Sequence, residues 1–475
     1  IDRGVEFRAS DGSGFPGRVV LAPPSVVSGH DCCTLRVVMR NPDDELVLDG
    51  LSVTARAGLP ALSVSSGKIS AADTTFSGSV VLQGQASLGE LSDISVSGSV
   101  YAEDYTPEDT SAELGIPTLS QCRSSGIVVL GGAGLEGSRV TISGASPLGI
   151  CVRDAGSTAT LIDSNILDTM YIGSSDGFGW GGFVGDGGDL RLVGSTVSTT
   201  LIAGLVVDGV GSHLTLSHGS TLSDVRRVGA YMHVVGILAQ NHGEVTLSNS
   251  EVARMADGVG LLVSSGGTAT VTDVVFDENG FAGVAVIDGT LRMIRGRVVN
   301  TTGNVGGGVG IYTQSDLEGV SDIFIEDSTI ARNVYTGFLL NGGGGTTTIV
   351  ETTFRDNAVG VEEAAGWKSG GGIQVACYGF SRSSCPAQRV SATDLILTGN
   401  RFSKTVSQPS MGRLRLVLGD PYIHVFLDGS SATLTGNSYL GGTIDVHQQK
   451  CSSTTLVDLS NEGAITTNLC PQYDS

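Results

Sequence analysis

Apolar residues recur along this chain in two short phrases that alternate. The first opens on glycine and runs on through apolar residues. Examples are Gly149-Ile-Cys-Val152, Gly204-Leu-Val-Val207, Gly260-Leu-Leu-Val263, Gly283-Val-Ala-Val286, Gly310-Ile-Tyr-Thr313 and Gly337-Phe-Leu-Leu340. The second follows after a short Gly/Ser turn and reads polar-x-x-apolar, as in Asp163-Ser-Asn-Ile166, Asn249-Ser-Glu-Val252, Asp327-Ser-Thr-Ile330 and Asp394-Leu-Ile-Leu397. It occurs early as well, in Asp73-Thr-Thr-Phe76 and Asp93-Ile-Ser-Val96. A fixed period of roughly twenty to thirty residues marks a repeat architecture. Asparagine stands three residues after the apolar anchor at Asn279, Asn333, Asn357 and Asn400. Asparagine tolerates left-handed backbone, so these positions are expected to be sharp corners whose side chains stack and bond to one another. Strands this short, without two-residue hairpin turns, cannot pair with their chain neighbours. Equivalent strands of successive repeats are expected to stack in parallel, about 4.8 Å apart.

These residues resemble the parallel β-helix repeat of the pectate-lyase-like superfamily over about residues 50–440. The resemblance implies an all-β chain, a right-handed parallel β-helix (solenoid) with capped ends. Residues 1–50, with Asp31-Cys32-Cys33, are expected to be an N-terminal cap. Residues 51–440 would form the β-helix with inserted loops, and residues 441–475 a C-terminal cap. The superfamily includes lyases, hydrolases, epimerases, tailspikes and adhesins, so function must be argued from a site and not from the fold.

Composition narrows the partners. Of 475 residues 70 are Gly, and charged residues make up only 16%. The 40% hydrophobic content suffices for a continuous core. Net charge is −21, which excludes nucleic acid and anionic membrane surfaces as partners. It suits neutral sugars, divalent cations or a surface protein. No run of about 18 apolar residues exists, so no membrane span is expected. The chain opens on Ile1, as a processed extracellular or cell-surface protein would. Eight cysteines without Cys-x-x-Cys spacing point to disulfides. Cys377 with Cys385, and Cys451 with Cys470, are the first pairs to expect. The acidic stretch from Tyr101 to Gly115 is a candidate calcium loop; otherwise no cofactor and no metal site is expected.

Alternation assigns outward columns on the glycine-started strands. One column contains Val206, Leu238, Leu262, Tyr312 and Leu339 and is apolar. It should be covered, either by inserted loops or by a partner, a homo-oligomer included. Two positions on, Asp208, Gln240, Gln314 and Asn341 form a polar column that resembles a sugar-binding lane. The two tryptophans, Trp180 and Trp367, are expected in inserted loops, as sugar platforms or as plugs.

Catalytic signals are weak. The patterns Asn-Thr-Asp and Gly-His-Gly are missing, and Asp43-Asp44 lies in the expected cap. The best acid pair is Glu362 and Glu363, with Lys368 near by in sequence. Binding of a polysaccharide or surface protein along the lateral face, or a scaffolding role, is the first expectation. A polysaccharide lyase or glycoside hydrolase is the alternative.

Overall fold

The computed structural model describes residues 18–21, 35–38, 43, 45–55, 60–85, 87–98, 122, 125–169, 179–227, 234–303, 307–314, 319–341, 345–357, 370–375, 393–403, 423–428, 431–440, 444–450, 456–459 and 465–469. Contacts divide the chain into two units. The first is Ile1–Tyr231 with His242–Thr246, and the second is Met232–Asn241 with Leu247–Ser475.

Each coil carries three strands, where the sequence phrases announce two. In the first unit one coil comprises Leu148–Arg153, Thr158–Ile162 and Asn165–Leu167. In the second, an equivalent coil comprises Val259–Ser264, Thr268–Thr272 and Val275–Asp277. We call the three resulting ladders A, B and C. Ladder A is the glycine-started phrase and ladder C the polar-x-x-apolar phrase. Ladder B is what the sequence presents as the Gly/Ser turn between them. Its strands alternate polar and apolar residues, with one face buried, as in Thr158-Ala-Thr-Leu-Ile162. Asp394–Leu397, read as the second phrase, belongs to a ladder-B strand, Thr393–Thr398.

The parallel register holds within each unit. In the first, Cys151 pairs with Phe183 and Phe183 with Val206. In the second, Leu262, Ala285, Tyr312 and Leu339 are successive partners. The one antiparallel pairing joins Arg18–Leu21 to Leu35–Val38, among the described residues.

The core is built from vertical stacks of like side chains. On ladder C the rings of Phe354 and Phe402 stack at 5.0 Å, and those of Phe402 and Tyr439 at 5.1 Å. The recurring glycines are required by space. A Cβ on Gly149 would lie 2.4 Å from the carbonyl oxygen of Gly181, and one on Gly260 would lie 2.5 Å from that of Gly283. No side chain fits where successive backbones approach so closely.

The corners also differ from expectation. The left-handed residue lies one position before each asparagine, at Glu278, Arg332, Asp356 and Gly399, with φ between 53° and 63°. The asparagines themselves are buried and point inward. Asn333 Nδ2 donates to Asn357 Oδ1 at 2.9 Å, and Asn400 Nδ2 donates to Asn437 Oδ1 at 3.0 Å. The expected stacking is present. Its reason is satisfaction of buried polar groups and not backbone conformation.

Candidate functional site

The outer face of ladder A is closed by the chain itself. Val128, Cys151, Phe183 and Val206 are buried in the first unit although they stand on the outward side. A disulfide from Cys122 fastens onto Cys151 within this column. In the second unit Leu238, Ala285 and Leu339 are buried, and Leu262 and Tyr312 are half-buried. Phe281 packs edge-on to Tyr312, with ring centroids 5.7 Å apart. These positions are buried within the chain itself.

The polar column beside it is not an open lane. Asp208 is buried, and its carbonyl accepts a 2.7 Å hydrogen bond from Ser212 Oγ. Gln240 is half-buried, and Gln314 accepts a 2.5 Å hydrogen bond from the Tyr312 hydroxyl. Asn341 closes the next strand and pairs in register with Gln314. Trp180 opens the strand Trp180–Gly185, not a loop. It is 1% exposed, with its ring 6.4 Å from that of Phe183, so it plugs this face and offers no platform. Trp367, Glu362, Glu363 and Lys368 lie outside the described residues, as do the acidic stretch and Cys377, Cys385, Cys451 and Cys470.

An open face appears instead on ladder B of the first unit. Register places Val47, Ser70, Glu90, Glu136 and Thr160 on successive rungs. Their side chains face outward because the alternate residues, Leu48, Ala71, Leu91 and Leu161, fill the core. Together with Ile162 on the flank they line an open groove of about 490 Å³. Val47 is 59% exposed, Ile162 42% and Leu88 37%. Val47 and Ile162 thus leave apolar surface open within the groove.

Charge in the groove is unbalanced. Lys68 Nζ lies 2.7 Å from Glu90 and 3.7 Å from Glu45. The hydrogen bond that Lys68 donates to Glu90 is the main cause that raises the Lys68 ammonium above the ordinary lysine value, opposed by desolvation. Ser70 Oγ donates to Glu45 and, at 3.5 Å, to Glu90. Glu136, exposed on the next rung, has no partner among the described residues. Of the two carboxylates that line the groove, Glu90 is thus paired with Lys68 and Glu136 is not, among the described residues. Sequence reasoning passed over Glu90 and Glu136 because the insertion after residue 98 breaks the period between them. The available signal was the matching Leu-Gly-Glu-Leu and Gly-Leu-Glu-Gly runs.

Among the described residues no three His, Cys, Asp or Glu side chains gather as a metal site. No helix among them is long and apolar enough to cross a membrane.

Residues 203–385 match the family model described as the right-handed β-helix region. The chain is a right-handed parallel β-helix. The repeat of these residues is that of a right-handed β-helix region. This β-helix is similar to the solved structure of the pectate lyase Pel9A, with 16% identity, coverage of 58% of this chain and 69% of that one, and a TM-score of 0.37. It is also similar to the Dettilon tailspike protein, at 14% identity, 66% and 62% coverage and a TM-score of 0.39. The periplasmic alginate epimerase AlgG is a third, at 12% identity, 90% and 85% coverage and a TM-score of 0.41. These likenesses concern the fold. No curated protein sequence matches the chain.

Proposed function

We propose that this β-helix is an extracellular glycan-binding protein whose sugar lane crosses ladder B of the first unit. One observation carries the reading: the open groove in which exposed apolar side chains stand beside hydrogen-bonding ones on successive rungs. A sugar ring has apolar faces and a polar rim, and binding sites pair an apolar wall with a few convergent polar groups. Rungs about 4.8 Å apart advance by a step comparable to one sugar unit, so one extended chain can meet several coils. The Cys122–Cys151 disulfide suits an oxidising compartment.

Titrating the protein calorimetrically with a panel of neutral, cationic and anionic oligosaccharides tests the reading. At least one should bind, and the double substitution Val47→Ser, Ile162→Ser should remove its binding while leaving the circular dichroism spectrum unchanged. Binding that survives the double substitution would place the lane elsewhere.

Hydrolysis is a second reading, favoured by the adjacent rungs of Glu90 and Glu136. Their strand spacing of about 4.8 Å is near the roughly 5–5.5 Å between carboxyls in retaining glycosidases. New reducing ends released by the protein, and lost in Glu136→Gln, would support it. Binding without any new ends would reject it.

A further inference from the structure

Resting on the glycan-lane reading, we infer that the glycan carries protonated amines, as in a chain of glucosamine units. The groove is an apolar trough with a fixed electrostatic sign. Its lining holds two carboxylates, Glu90 and Glu136; among the described residues Glu90 is paired with Lys68 beside the groove, an ammonium that also lies 3.7 Å from Glu45. Glu136 is left to an incoming group. A hydroxyl can bond to it, but an ammonium both bonds and compensates its charge. A uronate chain meets the opposite situation: repulsion from the groove, and from a protein of net charge −21.

The rungs add a geometric argument. Glu90 and Glu136 are direct neighbours in the parallel ladder. Their side chains therefore leave the sheet in the same direction, about 4.8 Å apart. A glycan lying across the strands presents its substituents to both carboxylates. The exposed faces of Val47 and Ile162 contact the rings, and the Thr160 hydroxyl is free to meet a ring hydroxyl on the following rung.

The test compares three hexamers by calorimetry with the full chain at low ionic strength: the glucosamine hexamer, its fully N-acetylated counterpart and hexagalacturonate. The glucosamine hexamer should bind tightest. Its affinity should fall roughly three- to tenfold in Glu136→Gln, the scale of one partly screened ion pair, and should fall again in high salt. Hexagalacturonate should not bind. Equal affinity for the N-acetylated hexamer, or no response to Glu136→Gln, overturns the amine inference while the glycan lane stands, provided Val47→Ser, Ile162→Ser removes binding. If no hexamer binds but calcium does, and Glu136→Gln abolishes that binding, the groove is a cation site and both readings fall.

Discussion

Aspartate and arginine at the left-handed corners show how single residues hold these coils. Asp93 and Arg139 occupy equivalent corners of neighbouring coils, with φ of 54° and 52°. The guanidinium of Arg139 donates to both carboxylate oxygens of Asp93, at 2.5 and 2.7 Å. Arg295 does the same for Asp273, at 2.7 and 2.8 Å. These hydrogen bonds are the main cause that holds both carboxyls below the ordinary aspartate value of 3.8, against desolvation. A depressed folded-state value means that the contribution to stability is present above 3.8 and is lost as pH falls through the folded values. Melting temperatures of wild type and of Asp93→Asn, Asp273→Asn should therefore differ at neutral pH and converge in strong acid. A gap that is independent of pH would show the pairs to be irrelevant. Glycines at two kinds of position should respond differently. Gly260→Ala drives a Cβ against backbone and should cost about 2–3 kcal/mol in denaturant titration. Gly436 has φ of 61° with open space around it. Since Asp fills equivalent corners, Gly436→Asp should cost less than about 1 kcal/mol.

At the scale of the element, the ladders of buried polar groups and the disulfide decide stability. Between ladders B and C of the second unit, Gly296 N donates to Ser328 Oγ, Ser328 N to Thr352 Oγ1, and Thr352 N to Asn400 Oδ1. Asn400 N continues the series to Asn437 Oδ1 at 3.0 Å. The first unit uses serine in the same role, with Ser164 N donating to Ser195 Oγ and Ser195 N to Ser220 Oγ. Asn400→Ala should cost about 2–3 kcal/mol, because it strands the buried Thr352 amide. Asn400→Ser should recover part of that loss, since serine is at home in this corner. Equal losses in the two variants would reject the ladder account. The Cys122–Cys151 bond spans 29 residues and ties the segment before ladder A onto its outer column. Cys122→Ser should lower stability by about 3 kcal/mol and diminish the effect of reductant on the melting temperature.

For the whole molecule, net charge sets which polymers can approach. At −21 the protein repels polyanions at long range, and salt relieves that repulsion. Retention on immobilised polygalacturonate should therefore be absent at low ionic strength and should not rise above background until salt is added. Retention that is strongest at low salt would overturn this account. Stacked coils also localise damage, because each coil contacts mainly its neighbours.

The sequence by itself determined the winding. Glycine and inward apolar residues recur at the coil period, so the period, the parallel register and the stacks of Phe, Ile and Val were legible. That information is local and repeats many times. It did not reveal the third strand, because Thr-rich alternation between Gly/Ser corners looks like a turn until a neighbouring coil pairs with it. Nor did it reveal which outer face is open. Val206 and Trp180 are apolar and outward, yet they are buried. Glu90 and Glu136 become neighbours only once their strands pair. Covering and juxtaposition depend on where inserted segments lie in space, and only the tertiary structure decides that.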